Sequence, residues 1–172
     1  MKRIQTISLL FLAFLVIGTS VSAQDKADRP SPPKTVEAMM ASGKVTIDYS
    51  SPAVKERAVW GELVPYGKMW RTGANEATTI MLEKDMKVGG KLIPAGKYAL
   101  FTIPGKDEWT IVLNSEWDQW GTYNYNKSND VHQFTVKPQM NKESQERLMF
   151  NVSENGMVTM MWEKLSISFE IG

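Results

Sequence analysis

The chain contains no cysteine and a single histidine among 172 residues, and its formal charge at neutral pH is only +1. Without cysteine there are no disulfides, no thiolate nucleophile and no sulfur-ligated metal. One histidine cannot build a multi-histidine metal centre. A near-neutral balance leaves no basic footprint for nucleic acid or an anionic bilayer. Also missing is any window with a 3.6-residue apolar period, so an amphipathic helix is not expected.

One apolar run exists, over residues 7–17, and it sits behind Lys2 and Arg3. It is followed by Val21-Ser22-Ala23, with small residues at the two positions a signal peptidase reads. The run is too short to span a bilayer comfortably, and no stop-transfer pattern follows. We expect a secretory signal peptide over 1–23, cleaved after Ala23, a periplasmic or secreted product, and no stable membrane insertion afterwards. Cleavage removes two cations and turns the balance of +1 into −1. Residues 24–35 are polar and proline-rich and read as an extended tether. The remainder, 36–172, is enough chain for one domain with its own core.

That remainder is punctuated by turns. A first edge strand is expected over 36–40. Val45, Ile47 and Tyr49 alternate with Lys44, Thr46 and Asp48, the period of a half-buried strand. Further strands are expected over 78–82, 85–88, 91–93, 97–103, 109–113, 131–137, 147–153, 157–162 and 165–171. Gly89-Gly90 suits a two-residue hairpin turn. About ten short strands with turn signals every 8–12 residues or so indicate an all-β antiparallel sandwich, jelly-roll-like in character. Residues 53–73 break the pattern but are rich in Trp and Tyr. A loop of that composition should pack back over one face or end of the sheet.

The stretch Trp70-Arg71-Thr72-Gly73-Ala74-Asn75-Glu76-Ala77-Thr78 is the densest in chemistry. Arg71 offers a planar fork of donors, Asn75 an amide, and Glu76 an acceptor able to shuttle a proton. The alternative is structural: Arg71 and Glu76 pair across a tight turn at Gly73, with Asn75 taking an unusual backbone angle. A second group, Trp109, Trp117, Trp120, Tyr123 and Tyr125 with interleaved amides and Asp118, has the flat faces a saccharide site needs. The same rings would also serve as loop anchors. Glu76 with Asp48 or Asp118 would make a glycosidase pair only at the right separation. His132 lies in a predicted strand and the chain has no Gly-x-Ser-x-Gly elbow, so a triad with Ser50 or Ser51 and Asp48 is not expected. No acidic loop has calcium-ligand spacing.

Several motifs occur in a fixed order: Arg29-Pro30-Ser31-Pro32, Asp48-Tyr49-Ser50, Val64-Pro65-Tyr66-Gly67, the Trp70 to Thr78 stretch, Pro94-Ala95-Gly96-Lys97-Tyr98, Trp109-Thr110-Ile111 and Gln119-Trp120-Gly121. Together they resemble an exported bacterial family known only as a domain of unknown function. The resemblance implies a secreted or periplasmic β-rich domain and carries no catalytic residue. The expectation is a non-enzymatic module binding a small polar ligand, a saccharide first, through Trp70, Arg71, Asn75, Glu76, Trp117, Trp120 and Tyr123. No metal or cofactor is implied. A hydrolase built on Glu76 and a structural envelope protein are the alternatives.

Overall fold

A computed structural model describes residues 26–172. The signal peptide expected over 1–23 and the first two residues of the tether lie outside the described residues. Ten strands follow in order: β1 Pro33–Met40, β2 Gly43–Ser50, β3 Thr79–Leu82, β4 Met86–Val88, β5 Lys91–Ile93, β6 Gly96–Ile103, β7 Trp109–Asn114, β8 Asp130–Val136, β9 Gln139–Val152 and β10 Met157–Glu170. All pairings between them are antiparallel. Among the described residues no helix is long and apolar enough to cross a membrane.

Six strands form one sheet in the order β1-β2-β3-β6-β7-β8, and β9 with β10 forms a long hairpin. The core lies between these two layers. Val45, Ile47, Ile80, Leu100, Ile111 and Leu113 from the sheet meet Leu148, Phe150, Met160, Trp162 and Ile167 from the hairpin. Their period-two spacing is what directs them to one face. The opposite face of the sheet is polar near β2 and β6, where Thr46, Asp48, Thr79 and Lys97 lie, and carries a small patch of Ala99, Phe101 and Val112.

The Gly89-Gly90 turn forms as expected. Both residues take positive φ, 54° and 86°, as a tight hairpin needs. The strands expected over 157–162 and 165–171 are one continuous strand, β10, and two starts also lie well outside expectation. β1 begins at Pro33, because Pro33, Lys34 and Thr35 pair with Ser50, Tyr49 and Asp48. Proline is tolerated there, as the first residue of an edge strand. β9 begins at Gln139, and its first half is polar and largely exposed, so alternation could not reveal it. It pairs with β10 through two register shifts.

The loop over 53–73 closes one end of the sandwich. Gly67 donates its N–H to the Pro104 carbonyl at 2.7 Å, and Trp70 exchanges backbone hydrogen bonds with Thr102 at 2.8 and 3.0 Å. Trp60 and Trp70 enter a group of four indoles with Trp109 and Trp162. Trp70 stacks on Trp162 at 5.9 Å and 19°, while Trp60 meets Trp109 edge-on at 5.1 Å. Edge-on contacts set the positive rim of one ring against the π face of the next. The indole N–H groups of Trp60, Trp109 and Trp162 are buried with no hydrogen-bond acceptor among the described residues.

Candidate functional site

The Trp70 to Thr78 stretch is folded back on itself. Thr78 donates its N–H to the Arg71 carbonyl at 3.1 Å and its hydroxyl to the Thr72 carbonyl at 2.9 Å. Thr72 is fully buried at φ +54°, and Asn75 lies at φ +58°. The left-handed region costs a β-branched residue such as Thr more than it costs Asn. Thr72 is held there by Trp70, Thr78 and a 3.2 Å contact to the Thr102 hydroxyl. Gly73 has a different job from the turn expected of it. A Cβ at Gly73 would stand 3.0 Å from both the Ser50 carbonyl oxygen and Thr78 Oγ1. Its bare backbone allows the loop to press against β2.

This folding sends the polar side chains in separate directions. Asn75 Nδ2 donates to the Ser31 carbonyl at 3.1 Å and to Ser50 Oγ at 3.2 Å. Glu76 accepts from Arg29 Nη1 at 2.9 Å through each carboxylate oxygen and meets Lys26 Nζ at 3.2 Å. The two residues therefore clasp the segment 26–32, which is docked where a free tether was expected. Burial pushes the Glu76 carboxyl upward, but Arg29, its own backbone N–H and Lys26 outweigh it and hold the group below the usual carboxylate range. A carboxylate held ionised in this way is a poor general acid at neutral pH. Arg71 is not its partner. The guanidinium of Arg71 makes no hydrogen bond or ion pair with any described residue, and its Nε–H is buried without an acceptor.

Glu76 stands at the rim of a cleft of about 300 Å³ on the polar face of the sheet. Asp48, Thr79 and Lys97 line its floor, and Trp117, Asp118 and Gln119 its opposite wall. Lys97 Nζ is 3.3 Å from Asp48 Oδ2 and 4.8 Å from the centre of the Trp117 ring. The wall is anchored at its base. Tyr125 donates its hydroxyl to Asp130 Oδ2 at 2.6 Å, and Asn114 Nδ2 donates to Asp130 Oδ1 at 2.8 Å. Burial and the Asp130 carboxylate raise the Tyr125 phenol well above its usual range, so it remains a donor. Tyr125 also packs edge-on against Phe101 on the sheet. Ala77 N–H reaches the Gln119 carbonyl at 3.0 Å, tying the wall to the motif. Gln119 is buried, and its Oε1 has no donor among the described residues.

The seven expected binding residues do not converge. Glu76 and Trp117 share this first cleft. Trp70, Arg71 and Tyr123 line a second, of about 220 Å³, which has no lining residue in common with the first. Asn75 is part of the clasp and lines neither. Trp120 lines neither as well; its ring lies 5.8 Å from the Arg29 guanidinium, and its backbone bridges Glu76. Of the carboxylates weighed as a glycosidase pair, Glu76, Asp48 and Asp118 all border the first cleft, and Asp48 is engaged by Thr35 and Lys97. His132 stacks on Phe134 at 5.0 Å in the edge strand β8, a long way across the sheet from Ser50 in β2. Arg29, Lys26 and Lys97 were missed. Arg29 and Lys97 lie in motifs already singled out, and the outward phase of Lys97 on its strand was the available signal.

Residues 31–171 match the family described as protein of unknown function, DUF2911, and the chain belongs to it. No significant similarity links the chain to a curated protein or to a solved structure.

Proposed function

We propose that this is an exported, non-enzymatic binding module whose first cleft takes a small polar ligand, a saccharide before others. The observation that carries this reading is the gathering of Glu76, Asp48 and Lys97 beside the exposed Trp117 ring in one cleft of about 300 Å³. Carboxylates accept from hydroxyls, an ammonium donates, and a flat ring covers C–H faces. That mixture, on a rigid sheet floor, fits a ligand with many hydroxyls and one apolar face. Lys97 already covers part of the Trp117 ring, so the sugar face would stack on what remains. The state of Glu76 favours binding over hydrolysis, because a carboxylate that two cations hold below its usual range is a poor proton donor to a leaving group at neutral pH.

The test is a thermal-shift screen of the chain without residues 1–23 against mono- and disaccharides, repeated on Trp117→Ala. A ligand at a hundred times its dissociation constant adds about 2.7 kcal/mol to native stability. A saccharide that raises Tm in the parent and not in the folded variant supports the proposal. A hit unaffected by loss of Trp117 places binding elsewhere and refutes it.

A further inference from the structure

We infer that the second cleft is an oxyanion site built on Arg71, and that it takes the carboxylate of a small organic acid. It is separate from the saccharide reading, since the two clefts share no lining residue. Arg71 is half-buried, and among the described residues nothing accepts from its guanidinium. Partly buried arginines ordinarily have a counter-charge, because desolvating an unpaired cation is costly. Here the lining includes Lys68 as a second cation and no acidic residue at all. The site therefore has a positive charge that no described residue balances.

The guanidinium is also positioned. A Cβ at Gly121 would lie 2.5 Å from Arg71 Nη1, so the glycine, at φ +64°, leaves room for the end of the arginine side chain to approach the backbone. The chain then turns into Thr122 and Tyr123, which line the same cleft. On the other side, Trp70 is fixed by its stacking on Trp162 and by its Nε1 hydrogen bond to the Gly73 carbonyl at 3.1 Å. Arg71 follows it directly, on a segment locked to Thr102, so little freedom remains at its Cα. A planar donor fork matches the two coplanar oxygens of a carboxylate. Leu63, Pro65 and Met69 give the remaining wall an apolar character. That wall selects an acid with an apolar body over a bare inorganic anion, and about 220 Å³ limits it to a small one.

The probe is sodium benzoate, titrated into the chain lacking residues 1–23 and followed by the Arg71 Nε–H resonance and by Tm. Benzamide serves as the neutral isostere, and inorganic phosphate as the anion without an apolar body. Saturable movement of the Arg71 signal with benzoate, and little with benzamide, is the expected result. Arg71→Gln should weaken benzoate binding by at least about tenfold, since hydrogen bonds to charged groups are the strong ones. Lys68 is exposed and outside the packed core, so Lys68→Ala keeps the fold and should weaken binding severalfold. Equal responses to benzoate and benzamide would overturn the inference, as would unaltered affinity in a folded Arg71→Gln variant or in Lys68→Ala. Phosphate binding more tightly than benzoate would overturn the assignment to a carboxylate.

Discussion

At Trp70 the chain sinks into a group of four indoles; six residues later, at Glu76, it stands on the rim of a polar cleft. The first region is held by dispersion and ring contacts and is closed to water over most of its area. The second is held by two cations reaching from segment 26–32, with the Glu76 side chain 39% exposed. Burial is therefore expected to set the energy of one and solvent screening that of the other. Most of the unusual residues between them are engaged in building the loop or holding the segment. Arg71 stands apart, because no described residue balances it.

Five substitutions sharpen this contrast, and the largest effect belongs to the indoles. Trp70→Ala should cost about 3–5 kcal/mol in urea unfolding, because three other rings lose a face. A loss below about 1 kcal/mol would mean the group is loosely packed. Gly73→Ala comes next, at about 1–3 kcal/mol, since the new methyl meets backbone oxygen on one side and a buried hydroxyl on the other.

The clasp should cost less. Arg29→Ala or Glu76→Gln is expected to remove about 1 kcal/mol or less, and less still in high salt. The pH dependence has a definite sign. The Glu76 carboxyl lies lower in the folded protein than in the unfolded chain, so its contribution is complete above the unfolded value of about 4.3. It is lost as pH falls below that value through the folded one. The stability gap between parent and Glu76→Gln should therefore close on acidification, and a gap that widens would contradict the assignment. Trp117→Ala should change stability least, by about 0.5 kcal/mol or less, because the residue is 42% exposed.

How far the sequence disclosed this arrangement depended on local pattern. Alternation at Val45, Ile47 and Tyr49 and the paired glycines at 89 and 90 were enough to place strands and a hairpin. The polar half of β9 was hidden because neither of its faces is apolar. The site was harder for a related reason. Spacing located a dense cluster at Trp70 to Thr78, but could not show that left-handed backbone at Thr72 and Asn75 would turn its side chains to opposite sides. Nor could it show that a proline-rich segment, read as a tether, would supply the counter-charge to Glu76. That pairing spans 47 residues and exists only in three dimensions.

The most direct test of the division between the two clefts is a pair of double-mutant cycles measured by urea unfolding. Arg29→Ala with Glu76→Gln should couple, because the two groups share hydrogen bonds at 2.9 Å. Arg71→Gln with Glu76→Gln should add within about 0.3–0.5 kcal/mol. Coupling above about 1 kcal/mol between Arg71 and Glu76 would mean they act on one another after all, and would contradict the account.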